Sequence, residues 1–378
     1  ILHGKIGGQE MQVSSTASII GPTMAEEFPG VESFLRINGR GGTVLKKDNQ
    51  SFIEDDFIEA DSSFFEFFSI PLISGDPRTV LNSPRQLVLS EKVAKKIFGD
   101  EDPINKSLKV GTDSVFYTVS GIMEEIPANT HFKAEIISSF MTNPRSRTTQ
   151  WLSNSFSTYL MLNPNANPAD VDAAIPDLLV KYVGPELESY MGVNIKEFFE
   201  QGNKYNLYLQ PLTDIHLDPT IQQSLAQTSD PKYLYIFGSI ALLIIIIACI
   251  NYMNLSTAQA SRRAREVGIK KVVGSSKGML VNQFITESVI LTMLSLFVAL
   301  IIVQLALPFF SDLLEVKMQL NYFANWFTLP GLMLLAILIG FISGSYPAFF
   351  LSSFRPIAVL KGSLSNNMKN SKLRSVLV

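Results

Sequence analysis

Three stretches without a charged residue, 233–261, 288–311 and 318–354, constrain this chain more than any other feature. In hydrocarbon no water satisfies backbone N–H and C=O groups, so such a stretch crosses a bilayer as a helix of roughly 20 residues. The other reading is a buried helix of a large soluble core. "YLYIFGSIALLIIIIACINYMNL", residues 233–255, is apolar on every face and has no polar side to present to water. Each window therefore predicts one span, at about 233–255, 288–310 and 328–350. Residues 1–230 carry charges every few positions and read as an ordinary globular region.

The charges between the windows set the orientation. "SRRAREVGIKKVVGSSKGML", residues 261–280, holds Arg262, Arg263, Arg265, Lys270, Lys271 and Lys277 against one acid, Glu266. After the third window come Arg355, Lys361, Lys369, Lys372 and Arg374. The loop 312–317 between the second and third windows has only Asp312, Glu315 and Lys317. Positive charge marks the cytoplasmic side, so the first span runs inward and 1–230 lies outside. An exported domain in that position calls for an earlier span or signal, which is expected before Ile1. "KLRSVLV" at the other end reads as the start of a further apolar run, and 355–378 as a cytoplasmic exit leading into it.

The pattern in 1–230 is α+β. "FLRINGRGGTVLK" predicts two strands about a turn at Gly41 and Gly42. "SSFFEFFSI" predicts a short aromatic helix serving as a core plug. "SEKVAKKIFG" predicts a helix capped by Ser90, with Val93, Ala94 and Ile97 on one face and Gly99 at its end. "SLKVGTDSVFYTVSGIM" alternates around Gly111–Ser114 as a hairpin. "STYLMLN", "PADVDAAIPDLLVKYV" and "NKYNLYLQPL" form a β-α-β pattern. The run Glu54, Asp55, Asp56, Glu59, Asp61 lacks the glycine and terminal glutamate of a calcium loop, and reads as a solvated loop or strand edge.

Catalytic and metal signatures do not emerge. Net charge is −3, which gives no global case for nucleic-acid binding. His3, His131 and His216 lack metal-ligand spacing, and Cys249 lies inside the first window as a small hydrophobe. "GSSKGM" has the wrong spacing for a phosphate cradle and no preceding strand. Asn251, Asn254, Gln304 and Glu287 are the polar residues of interest in or near the spans, read as interhelix hydrogen-bonding groups. Gly340 and Gly344 form a small-residue face for close helix packing, and Pro347 is expected to bend or end the third span.

The basic segment is the remaining candidate. Helical spacing puts Ala264, Val267 and Lys271 on one stripe and Ile269, Val272 and Val273 on a neighbouring apolar face. Arg262 and Glu266, four apart, can pair. Gly274 suits the end of a helix, and Ser275 or Ser276 the start of the next. Two readings are open from these residues: an anchor lying on lipid headgroups, or a helix presented to a cytoplasmic partner.

"RRAREVGIKKVVGSSKGMLVNQFITES" resembles the cytoplasmic loop of FtsX-like ABC transporter permeases, the group that includes the MacB and lipoprotein-releasing permeases. "FFEFFSIPLISGDP", "VLSEKVAKKIFGDEDPINKSLKV" and "YTVSGIMEEIP" resemble the MacB-type periplasmic core domain, and "GSYPAFFLSSFRPIAVLKG" the end of the last span. The resemblance implies a core domain over 1–230, with a porter-like α/β part and an inserted β-rich part over about 75–138. A three-span α-helical domain over 231–354 would follow, with a coupling helix at 258–274, the family's first span being absent from this chain. Further, it implies a bacterial inner-membrane permease subunit that binds no cofactor itself. A separate cytoplasmic ABC ATPase would bind ATP and drive efflux or extraction of a substrate by mechanotransmission. Arg262, Arg263, Arg265, Glu266, Gly268, Lys270 and Gly274 would contact that ATPase. A second permease unit or homodimer, a periplasmic adaptor and an outer-membrane channel are further implied partners, besides the lipid membrane. The same fold also serves division-associated signalling scaffolds without transport, the alternative function.

Overall fold

The structure, a computed structural model, describes residues 1–353 apart from 112–114, 128–129, 224, 226–227, 315–319, 321 and 323–324. The side chains of Ile6, of residues 260–262 and of Leu314 are also outside the description. The chain divides into two compact units, Ile1–Tyr233 and Leu234–Val378.

The first unit opens with β1 (Leu2–Ile6), β2 (Gln9–Val13), β3 (Ser15–Ala17) and α1 (Ile20–Glu27). Its longest pair is β4 (Val31–Lys47) with β5 (Gln50–Ala60). Their turn is Asp48–Asn49, with Lys47 opposite Gln50 and Asp48 at φ 53°. Gly41 and Gly42, expected to form a turn, lie inside β4 instead. The register shifts there and Gly41 takes φ 68°, which makes a β-bulge. Glycine serves a bulge as well as a turn. Ile37 and Leu45, both fully buried on either side, keep the two halves in one strand.

Next come α2 (Phe64–Phe67), β6 (Leu72–Ser74), β7 (Gln86–Ser90), α3 (Glu91–Phe98), β8 (Ser107–Val110), β9 (Val115–Met123) and β10 (Ile136–Ser139). Phe64 and Phe65 are buried among Phe68 and Phe132, the plug that the aromatic run predicts. In α3, Ser90 Oγ accepts the Val93 N–H at 3.2 Å and Gly99 ends the helix at φ 63°. β8 and β9 pair antiparallel, while residues 112–114 of their turn lie outside the described residues.

Last in this unit are β11 (Asn154–Leu162), α4 (Pro168–Met191), α5 (Ile195–Glu200) and β12 (Lys204–Leu207). One sheet runs β3-β11-β4-β5-β10-β7-β9-β6, and β8 bonds both β4 and β9. The ring β4–β5–β10–β7–β9–β8 is therefore closed, which removes exposed edges. It encloses Leu45, Phe57, Leu87, Leu108, Val119 and Ile136, with α3 packed on the same core. β12 pairs with β1 in a separate three-stranded sheet, so the β-α-β pattern links two sheets. A second core gathers there around Trp151, which stacks on Tyr182 at 4.6 Å.

The acidic run is not a solvated edge throughout. Glu59 is 3% exposed and accepts from Asn38 and Asn143, with Arg40 at 3.2 Å. Glu54 binds Lys96 at 2.6 Å, and Asp61 takes a bidentate fork from Arg36. Strand alternation in β5 turns part of the run inward, where each buried carboxylate needs such partners.

The second unit contains α6 (Pro231–Ala258), α7 (Ala260–Val272), α8 (Lys277–Leu314) and α9 (Thr328–Ser352). α6, α8 and α9 are long and apolar enough to cross a membrane. α8 starts at Lys277, well before the charge-free window. Its 38 residues reach about 57 Å, against roughly 30 Å of hydrocarbon. α9 runs on through Pro347 to Ser352, so Pro347 does not end the span; it is buried within the helix. A Cβ on Gly344 would lie 2.5 Å from Ser288 Oγ, and one on Gly340 2.8 Å from Val289 Cα. Those two glycines let α8 and α9 meet backbone to backbone. Residues 312–314, expected in a loop, are the end of α8, while 315–317 and the exit segment 354–378 lie outside the described residues.

Candidate coupling site

α7 stops because of Gly274. At φ 109° Gly274 donates to the Lys271 carbonyl at 3.1 Å, and Ser275 N–H donates to that of Lys270 at 2.9 Å. This paired closure is a Schellman motif, and it satisfies carbonyls that the helix end would leave bare. Ser276 Oγ then accepts the Met279 N–H at 3.3 Å to start α8. α7 and the first turns of α8 thus form a tight helical hairpin.

One face of α7 is fastened. Ala264 and Val267 are fully buried, and Val267 packs with Leu280 and Phe284 of α8 and with Ala348 and Leu351 of α9. Arg263 forms a two-pronged bond to Glu287, Nη1–Oε2 at 2.9 Å and Nη2–Oε1 at 2.6 Å. Its guanidinium also lies over the Phe284 ring. Lys271 Nζ donates to the Ser352 carbonyl at 2.6 Å, close to the end of α9. Lys270 Nζ reaches both Glu266 at 2.7 Å and Gln283 of α8 at 3.0 Å. Beside the last turns of α8's buried stretch, Tyr252 of α6 shares a hydrogen bond with Ser288 at 2.8 Å.

The other face is open. Arg265 and Glu266 are exposed, and with them Ile269 at 56%, Val272 at 66% and Val273 at 82%. Contiguous exposed aliphatics rimmed by charged side chains are the usual composition of a contact surface.

The predicted residues therefore divide. Arg265 and Glu266 lie on the open face, and Gly274 ends the helix. Arg263 and Gly268 turn inward, and Lys270 leans on α8. The Arg262 side chain, and with it the expected Arg262–Glu266 pair, lies outside the described residues; Glu266 pairs with Lys270, one turn on. Glu287 makes the interhelix bond expected of it, while sequence reasoning missed its partner Arg263 and the contact of Lys271 with α9. A signal for the pair existed: Arg263 and Glu287 lie at similar distances on either side of the Gly274 turn, as facing positions in a hairpin do. A carboxylate at the border of an apolar window also needs a cation.

Residues 238–356 match the FtsX-like permease C-terminal family, and residues 4–178 match the MacB-like periplasmic core domain. The chain is an FtsX-like ABC transporter permease with a MacB-like periplasmic core domain. The macrolide export ATP-binding/permease protein MacB of Haemophilus ducreyi is 28% identical over 305 residues, covering 79% of this chain and 39% of the relative. The ABC transporter permease YvrN of Bacillus subtilis is 23% identical over 378 residues, covering 96% of this chain and 85% of YvrN. Among solved structures, a domain of a permease protein from Porphyromonas gingivalis covers 62% of this chain and 93% of its own, with TM-score 0.48 and 20% identity. The chain spans about two fifths of the MacB relative's length. As a permease with three apolar helices and a periplasmic core domain, it is an inner-membrane protein with an extracytoplasmic segment.

Proposed function

We propose that this permease couples a separate cytoplasmic ABC ATPase to movements of its extracytoplasmic domain, driving efflux or extraction of a substrate by mechanotransmission. The observation that carries the reading is the two-faced construction of α7. Its outer face offers Ile269, Val272 and Val273 beside Arg265 and Glu266, while its inner face is tied to α8 by Arg263–Glu287 and to α9 by Lys271–Ser352.

A partner that grips the outer face and moves would displace α8 and α9 together, because the fastened face leaves little slack. An anchor resting on headgroups would need the apolar outer face but not the fastening. ATP would be bound and hydrolysed by the partner, and the permease would contribute lever and contact.

Co-purification with an ABC ATPase, and stimulation of its hydrolysis by the permease, test this. Val273→Asp and Ile269→Asp place a charge on the open face and are expected to abolish both while the variants still insert. If both variants keep full binding and stimulation, the open face is not the coupling contact.

A further inference from the structure

Residues 208–230 join β12 to α6, and fully extended such a stretch spans roughly 75 Å. A link of that length hanging loose would absorb any displacement of the first span. This one is tied down. Leu209 N–H donates to Asp172 of α4 at 2.8 Å. Ser229 N–H, two residues before α6, donates to the His216 carbonyl at 2.7 Å. Between these ties, residues 220–223 are clipped onto β2 and β3.

The clip combines backbone and side-chain bonds. Gln222 N–H donates to the Gln12 carbonyl at 2.8 Å, and the Gln222 carbonyl accepts from Ser14 N–H at 3.1 Å. These are the two bonds of a parallel rung beside Val13. β2 is the outer strand of its sheet, so the rung occupies an edge that would otherwise be open. Ser14 Oγ donates to the Gln223 carbonyl at 2.6 Å, and Ser15 Oγ to Gln223 Oε1 at 2.7 Å. Gln223 holds φ 58°, a left-handed conformation uncommon outside glycine, and the two serine bonds keep it there. Ile221, next along, is buried.

The place of the clip gives it a role beyond covering an edge. Ser14 is the single residue between β2, in the three-stranded sheet, and β3, in the sheet that contains the ring. Bonds to Gln12 on one side and Ser15 on the other therefore grip the joint between the two sheets. We infer that residues 220–223 are the outer end of the coupling path, a clip that passes displacement of α6 to the β2–β3 joint. The inference rests on the coupling proposal for the source of the motion, but its test requires no ATPase.

The full chain is placed in nanodiscs of dimyristoleoyl- or dioleoyl-phosphatidylcholine. A thinner bilayer tilts a span whose apolar length exceeds it, so the change of lipid displaces α6 directly. Amide exchange at Ser14 and Gln222 is expected to rise roughly threefold in the thinner bilayer, while β7, inside the ring, is unchanged. Ser14→Ala with Ser15→Ala removes both side-chain bonds to Gln223. Exchange at Gln222 in this double variant should be about tenfold faster than in wild type and the same in both lipids. Wild-type amides that exchange equally in the two lipids, or a rise shared by β7, would overturn the clip whether or not the variant folds. A double variant that keeps the full lipid response would overturn it too, leaving the serines as an edge cover. Val273→Asp, which acts on α7, should leave the lipid response intact. A permease that responds to lipid but stimulates no ATPase would sink the coupling proposal and leave the clip standing.

Discussion

The two units obey one rule in opposite solvents. In the first, aromatic and aliphatic side chains are hidden, and Phe64, Phe132 and Phe140 are almost fully buried. In the second, Leu234, Ile236, Phe297, Leu305 and Leu338 are all about half or more exposed, while Gly340, Ser343, Gly344 and Ser288 are inside. Apolar burial from water drives the first unit together. Against lipid that drive vanishes, and close backbone contact and interhelix hydrogen bonds must replace it. Small residues are therefore structural in the second unit, as large ones are in the first.

The sharpest way to break this contrast is to enlarge a small residue. Gly344→Leu places a side chain where even a Cβ would lie 2.5 Å from Ser288 Oγ. Overpacking of this kind costs about 1–3 kcal/mol when neighbours can move, and more here because the Ser288 Cβ is also within 2.6 Å. We expect separation of α8 from α9, read as a longer distance between spin labels at the exposed positions 294 and 338 in a Cys249→Ser background. The ring of the first unit should keep its protease resistance. The mirror experiment is Phe64→Ala, expected to cost about 3–5 kcal/mol in the first unit alone. A drop in the denaturation midpoint with the α8–α9 label distance unchanged checks it; a variant that disturbs both units would show that the contrast is false.

How much of this was readable follows the same divide. The spans and the positive flank were legible because a missing charge in twenty residues has few physical explanations. α3 was legible because Ser90, the Val93–Ala94–Ile97 face and Gly99 agree with one another. The bulge at Gly41 was not, because Gly-Gly supplies positive φ to a turn and a bulge alike, and only the distant partners of Ile37 and Leu45 decide. Glu54 and Glu59 were misjudged for the same reason: their burial depends on Lys96, Asn38 and Asn143, which are remote in sequence. In the α7–α8 hairpin the turn was legible and the fastening was not. Which lysine or arginine meets which acid is set by how α7 rolls on α8 and α9.

A smaller effect sharpens the contrast through pH. His131 sits in the aromatic core of the first unit, bonded to the Tyr159 hydroxyl at 2.9 Å, and burial lowers its pKa to about 4 from an ordinary 6.5. The unfolded chain therefore binds a proton that the folded one refuses. This contribution is complete above pH 6.5, falls away as pH drops from 6.5 toward 4, and is level below that. The loss is about 3 kcal/mol at most, and about 1–2 after allowing for the part of the ring that still reaches water. Urea midpoints of the full chain at pH 7.5 and 5 should draw closer in His131→Gln, which keeps a hydrogen-bond partner for Tyr159. An equal pH dependence in both proteins would remove His131 from the account.

The smallest effect probes the second unit at the point where it meets water. Glu287→Gln keeps the shape of the carboxylate and leaves Arg263 one neutral acceptor in place of a two-pronged ion pair. Both side chains retain about a third of their exposure, so the loss is not that of a buried charge. A value of about 1.5 kcal/mol, typical of hydrogen bonds to charged groups, is expected. That corresponds to roughly tenfold more frequent opening of α7 from α8. Tryptic cleavage after Arg265, on the open face, should speed up by about that factor, while cleavage within the first unit is unchanged. The exchange Arg263→Glu with Glu287→Arg should restore most of the protection, because the two side chains are bonded to each other through both prongs, with the Phe284 ring beside them. Protection that is normal in Glu287→Gln would show that Val267, Leu280 and Phe284 hold the hairpin by packing alone. The second unit would then depend on apolar contact at its membrane edge as the first does throughout.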